Sequence, residues 1–302
     1  MTCGHPMGRL GSRPAGADYP RRRPPWRTGS GMIAQVNGIY DEPGLYELAC
    51  AYRNVPEEVT ALLGWCGKHW QGPLNDPGAP GVRTVLELAA GPAEHARELA
   101  RRGLRATALD QSAAMCAYAV ARAKAAGLDL GVVEADMRDF SIPDRFDLAI
   151  TMLNSLCHLY TLDDLLAHLT AVAAHLNPGG LYIAELAHPA DYFAPVPRTS
   201  SEWSLDEGGV RAEVRWGGRE DRIDPVTQIT REHMSITAHD KDGTVRAVSD
   251  VVPNRFWTAT ELTAAIRLAS TFTVAATYGD FNDTTKLTDP TAWRMILILR
   301  RA

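Results

Sequence analysis

Apolar positions along this chain switch between two spacings, and the switches mark out its elements. Val85, Leu86 and Leu88 in Thr84-Val-Leu-Glu-Leu88 form the near-continuous apolar run of a strand buried on both faces. A turn of small residues, Ala89 to Ala93, leads into an amphipathic helix that ends at Gly103. Ala106-Thr-Ala-Leu-Asp110 is a second strand, and Ser112 caps a helix running through Met115, Val120 and Ala126 to Gly127. Leu130–Glu134 and Phe146–Met152 predict two more strands. Thr161-Leu-Asp-Asp164 opens a helix whose Leu162, Leu165, Leu166, Leu169, Val172, Ala173 and Leu176 keep helical spacing. Asn177-Pro-Gly-Gly180 stops it, and Leu181-Tyr-Ile-Ala-Glu185 is the fifth strand. Strands alternating with helices predict a parallel sheet.

From about Glu202 to Arg255 the period becomes two, in Val210–Trp216, Gln228–Thr237 and Val245–Val248, with Asp242-Gly243 as a hairpin turn. The helical spacing returns at Thr260–Ala269, followed by strands at Phe272–Thr277 and Trp293–Leu299. Ahead of the first strand, Tyr40–Arg53 and Val55–Trp65 predict two short helices. Pro56, Glu57 and Glu58 stand in the first turn of the second, and a Pro/Gly/Asn/Asp loop, Gly72 to Gly81, follows. The expectation is an α/β fold with a Rossmann-like sheet. It assigns 1–31 to a disordered extension, 32–80 to a helical N-terminal cap, and 81–200 to the α/β core. An antiparallel β insert after the fifth strand fills 201–257 and walls the site; 258–302 completes the core.

Composition narrows the function. A chain of 302 residues can bury one large α/β core. A net charge of −5 supplies no basic field for nucleic acid, which is excluded as a partner. No apolar run approaches the ~20 residues that span a bilayer, so no membrane partner is expected. Five scattered cysteines without a C-x-x-C pair predict reduced thiols and a cytoplasmic location, with Cys116 and Cys157 as small core residues. His175, His188 and His233 have no metal spacing, and no metal is expected. Met1 to Gly31 is rich in Gly, Arg and Pro and has almost nothing to bury. It reads as an upstream extension with Met32 as the natural start; a basic tail that binds a partner is the competing reading.

The chemistry concentrates at the first turn. A tight turn between a buried strand and a helix presents free backbone N–H groups, and Asp110 at the end of the next strand can accept both hydroxyls of a ribose. A nucleoside-containing cofactor fits that arrangement. The G-x-G-x-x-G of a nicotinamide fold is absent. Glu87-x-Ala89-x-Gly91-x-Ala93 matches instead the acid-x-Gly-x-Gly-x-Gly pattern of S-adenosylmethionine methyltransferases, with alanine at two glycine positions and a slightly different turn implied. Asp136, after the third strand, can accept from an adenine amine; Met137 offers a backbone N–H, and Met115 can cover the other adenine face. With Asn177-Pro-Gly-Gly180, these segments resemble class I S-adenosylmethionine-dependent methyltransferases from about Tyr40 to Arg300.

Asp136-Met-Arg-Asp-Phe-Ser-Ile-Pro-Asp-Arg-Phe146 and Thr151-Met-Leu-Asn-Ser-Leu-Cys-His158 resemble, more narrowly, the amino-sugar N,N-dimethyltransferases of macrolide pathways. That resemblance implies S-adenosyl-L-methionine as cofactor, a small-molecule amine as acceptor, and a Tyr and a His near the transferring methyl. Tyr40 and His158 fall on the matching segments. His158, just past the fourth strand, can accept a proton at the crevice of such a sheet; Glu185, ending the fifth, can pair with an amine. Tyr46 and Arg53 are candidates for the methionyl carboxylate, Arg53 through a charge-assisted bond. Gln111 and Met152 complete the expected cofactor contacts. O-methylation of a hydroxyl or carboxyl, and a non-catalytic cofactor-binding module, stay open as alternatives, and a homodimer is an expected assembly.

Overall fold

The computed structural model describes residues 38–70, 81–193 and 201–302. The 1–31 extension and nearly all of the Gly72–Gly81 loop lie outside the described residues. In chain order come a 3-10 turn (Ile39–Asp41), α1 (Pro43–Cys50), α2 (Val55–His69), β1 (Thr84–Leu88), α3 (Glu94–Arg101), β2 (Arg105–Asp110), α4 (Ala113–Ala125), β3 (Leu130–Glu134) and β4 (Phe146–Thr151). A second 3-10 turn (Ser155–His158), α5 (Leu162–His175), β5 (Leu176–Ala187) and α6 (Ala190–Phe193) follow. The chain continues with β6 (Ser201–Glu207), β7 (Val210–Trp216), β8 (Ile229–His239), β9 (Val245–Arg255), α7 (Ala259–Ala269), β10 (Phe272–Tyr278) and β11 (Arg294–Arg301).

Seven strands form the central sheet in the order β10-β11-β5-β4-β1-β2-β3. All pairs are parallel except those of β11, which runs antiparallel to both neighbours. The sheet is covered on both faces, as its continuous apolar strands require. On one face Leu86 and Leu88 pack with Leu165, Leu169 and Val172 of α5 and Leu262 and Ile266 of α7. On the other, Val85, Leu148 and Ile150 pack with Val59, Leu62 and Trp65 of α2 and Leu99 of α3. Each such side chain contributes ~1.5–3 kcal/mol when fully buried.

The insert is a separate antiparallel sheet, β6-β7-β8-β9, whose burial alternates along β8 as a one-faced sheet demands. Its inward row of Val214, Met234, Ile236 and Val248 packs on Ile39, Leu45 and Ala49, so the N-terminal helical segment belongs to the insert's core. Trp203 Nε1 donates to the Ala49 carbonyl at 3.1 Å and fixes β6 to α1. Asp242-Gly243 makes the β8–β9 turn, with Gly243 at φ 85°.

Two boundaries differ from the sequence reading. The fifth strand starts at Leu176, because Asn177-Pro-Gly-Gly180 is a register shift between Phe146↔Leu176 and Leu148↔Leu181 within the β4–β5 ladder. β6 was missing from the apolar alternation, since Trp203 and Leu205 are its only large apolar residues.

In this order the chain reverses direction at β1, flanked by β4 and β2, and such a switch point opens a crevice at the strands' carboxyl ends. Ala89–Ala93 leaves β1 there, and Met152–His158 leaves β4 beside it.

Candidate active site

The turn after β1 keeps a glycine-like shape despite its alanines: Ala89, Gly91 and Ala93 have φ of 49°, 52° and 59°. A left-handed residue other than glycine costs ~1–2 kcal/mol, so the surroundings must hold this turn. They do so from two sides. Glu87, buried behind it, accepts from the Ala96 N–H at 2.7 Å, and Asp110 accepts from the Gly91 N–H at 2.7 Å. The second Asp110 oxygen accepts from the Ser112 N–H at 2.8 Å, and Ser112 caps α4 through the Met115 N–H. Burial pushes the Asp110 carboxyl up, against the backbone donors from Ser112 and Gly91.

A cavity of about 1020 Å3 opens in front of this turn. That is large enough for a nucleoside cofactor and an acceptor side by side. Ala89, Gly91, Asp110, Gln111, Met115, Asp136 and Met137 line it, together with Tyr40, Tyr46 and His158. These ten expected residues are brought together. Asp136 is held by the Arg138 guanidinium at 2.6 Å, and that side-chain bond, stronger than the opposing burial, pulls its carboxyl down. Replacing Asp110 by Ala removes the brace on Gly91 and the carboxylate expected to take a ribose; S-adenosylmethionine affinity measured by calorimetry is expected to weaken by ~1–3 kcal/mol.

In the same cavity, Tyr40 Oη lies 3.1 Å from His158 Nε2, and the two rings meet edge to face at 5.6 Å. Burial lowers His158 from 6.5 to about 4 and raises the Tyr40 hydroxyl, so the pair is neutral and shares one proton. Burial alone drives that shift, and it leaves the imidazole able to accept a hydrogen bond but uncharged at neutral pH. His158 is aimed by a strained turn, Leu153 at φ 55° and Asn154 at φ 63°. Glu185 Oε2 accepts from the Leu153 N–H at 2.9 Å, and Asn154 Oδ1 accepts from the Ala187 N–H at 3.0 Å.

The remaining four expected residues, Arg53, Glu87, Met152 and Glu185, do not line the cavity. The sequence sends Arg53 to the cofactor and Glu185 to the acceptor; the structure turns them toward each other. Arg53 donates to both Glu185 oxygens at 2.8 and 2.9 Å and to both Glu58 oxygens at 2.8 and 2.6 Å. Arg294 stands 2.6 Å from Glu185, and His95 bridges Glu58 at 2.8 Å and Glu87 at 3.5 Å. The physical reason is burial: Glu185 is fully inaccessible, and a carboxylate there must be matched by cations. Burial would raise Glu185, but Arg294 and Arg53 overcome it and hold the carboxyl at about 2.

His95 in the same cluster has a measurable signature. Burial opposes its charge, yet its bonds to Glu58 and Glu87 raise it from 6.5 to about 9. A raised histidine contributes stability that is complete below its unfolded value and lost as pH rises through the folded one. The melting temperature is therefore expected to fall between pH 7 and 9, and that slope to disappear in His95→Gln.

The insert supplies residues that sequence reasoning missed. Glu232 of β8 and Asn254 of β9 line the cavity, with Trp203 and Trp216. Tyr52, Trp203, Trp216, Tyr46 and Tyr40 form a continuous row with centroids 5.5 to 6.4 Å apart. The inward position of Glu232 between Thr230 and Met234 was the available signal. Cys157, read as a small core residue, is buried but donates to Asn254 Oδ1 at 3.1 Å. Among the described residues no cluster of His, Cys, Asp and Glu could hold a metal ion, and no helix is long and apolar enough to cross a membrane.

Residues 85–180 match the model of a methyltransferase domain. Over 156 residues the chain is 28% identical to the cypemycin N-terminal methyltransferase of a Streptomyces species, covering 51% of this chain and 58% of that protein. It thus spans under three fifths of that relative. It is 28% identical over 172 residues to the dTDP-3-amino-3,4,6-trideoxy-alpha-D-glucopyranose N,N-dimethyltransferase of Streptomyces venezuelae, covering 57% and 68%. The crystal structure of Streptomyces venezuelae DesVI shares the fold, with a TM-score of 0.69 at 22% identity over 86% of this chain and 98% of that one.

Proposed function

We propose that this chain, whose residues 85–180 form a methyltransferase domain that uses S-adenosylmethionine, transfers the methyl group to the nitrogen of a small-molecule amine. The observation that carries this reading is the neutral Tyr40–His158 pair lining the same cavity as the Asp110 turn. One relative is named for N,N-dimethylation and the other for methylation at an N-terminus, where a free amine stands, which supports nitrogen over oxygen.

The cofactor supplies an electrophilic methyl on a sulfonium. The protein's part is to hold it in line with the acceptor, exclude water and leave the acceptor nitrogen unprotonated. Alignment is the larger share, worth up to ~7–11 kcal/mol in the best intramolecular cases. Asp110, Gly91 and Met115 are placed to fix the nucleoside end, and the Tyr40–His158 pair to orient the nitrogen. A neutral imidazole adds no positive charge that would repel the sulfonium.

The test is transfer of a 13C-methyl from S-adenosylmethionine to glucosamine and a peptide with a free N-terminus, with glucose and the N-acetylated peptide as hydroxyl and blocked controls. Product spectra are expected to show N-methyl carbons only. O-methyl carbons alone would overturn the reading.

A further inference from the structure

Along the inward row of β8, Thr230, Glu232, Met234, Ile236 and Ala238, Glu232 is the single charge. It is 8% exposed and lines the cavity. One oxygen, Oε2, accepts from Asn254 Nδ2 at 2.6 Å; among the described residues Oε1 has no hydrogen bond and no cation within ion-pair distance. A carboxylate in an apolar row with one neutral donor is costly unless something else matches it.

Its position is fixed relative to the reacting centre. Asn254, which holds Glu232, also receives the Cys157 thiol at 3.1 Å, and Cys157 adjoins His158 in the same 3-10 turn. Tyr40, Cys157 and Tyr192 face the carboxylate closely enough to feel its charge, and Asp221 adds repulsion from behind. Asp191, Glu202 and Asp250 line the same cavity, as do Arg138 and Arg294.

We propose that Glu232 is the acceptor-binding carboxylate: its Oε1 receives the ammonium of a primary or secondary amine and selects amines over alcohols. This rests on the nitrogen-methylation reading and gives it a residue. The same group completes the proton balance. An R–NH3+ bound there passes one proton to the carboxylate, leaving R–NH2 and the neutral acid. The nitrogen lone pair then forms the C–N bond as the methyl's bond to sulfur breaks and its electrons return to sulfur. S-adenosylhomocysteine and R–NH2+–CH3 result. Burial, opposed by the Asn254 bond, pushes the Glu232 carboxyl up to about 7, in range for exchange with an amine.

Calorimetry on the full chain loaded with S-adenosylhomocysteine tests this with n-hexylammonium and its isosteric alcohol, 1-hexanol. The wild type is expected to bind the ammonium ~10-fold to 100-fold tighter, as charged hydrogen bonds allow. In Glu232→Gln that preference is expected to vanish while S-adenosylhomocysteine affinity is unchanged. Equal binding of the two probes by the wild type, a comparison that needs no variant, overturns the proposal. So does a preference that persists in Glu232→Gln. Failure of the broader reading looks different: methyl transfer to glucose and not to glucosamine, whichever probe Glu232 prefers.

Discussion

Arg53→Met is expected to lower stability by ~3–5 kcal/mol, the cost of stripping a partner from buried opposite charges. The arginine spans two carboxylates, Glu58 and Glu185, and its side chain is nearly inaccessible. Methionine fills much of the volume but leaves Glu185 to Arg294 and Glu58 to His95 alone. At ~2–4 °C per kcal/mol for a domain of this size, the melting temperature should drop by roughly 6–20 °C. The damage should reach the site, since Glu185 also pins the Leu153 N–H and with it the turn that aims His158. A variant melting within a degree or two of wild type would show that the cluster contributes little.

His158→Ala is expected to lower kcat by ~10²-fold or more, with S-adenosylmethionine affinity little changed. Its imidazole is held at 3.1 Å from the Tyr40 hydroxyl, and removing it frees Tyr40 and opens a gap at the cavity wall. Because burial holds His158 at about 4 and Glu232 stands at about 7, a limb near pH 7 in the wild-type rate should belong to Glu232 and keep its position in His158→Ala. Steady-state kinetics across pH 5 to 9, beside calorimetry for the cofactor, read both parts. Unaltered kcat in a variant that folds and binds cofactor would reduce His158 to packing.

Much of this arrangement is legible in the amino-acid sequence because it is local. The Ser112 cap and the Thr161 capping box depend on neighbours within four residues, and both form where their side chains call for them. Asp110 and His158 are legible because the end of a strand in a parallel sheet is a defined place. What escapes is set by distance. The partner of Arg53 lies 132 residues away, and no spacing announces that Glu185 faces inward to an arginine rather than outward to a ligand. Glu232 escapes for the same reason, since only the packing of β8 over the cavity turns an alternating strand into part of the site. The alanines at 89 and 93 carry the reverse lesson: their left-handed conformation is imposed by Glu87 and Asp110 against their own preference.

The proposed geometry puts a cofactor at Asp110 and an amine at the insert, with the Tyr40–His158 pair between them. A crystal structure of the full chain with S-adenosylhomocysteine and glucosamine tests it most directly. The ribose is expected on Asp110, with the thioether sulfur directed at the Tyr40–His158 pair and the amine nitrogen between that pair and Glu232. A ribose away from Asp110, or a sulfur directed away from Tyr40 and His158, would contradict it.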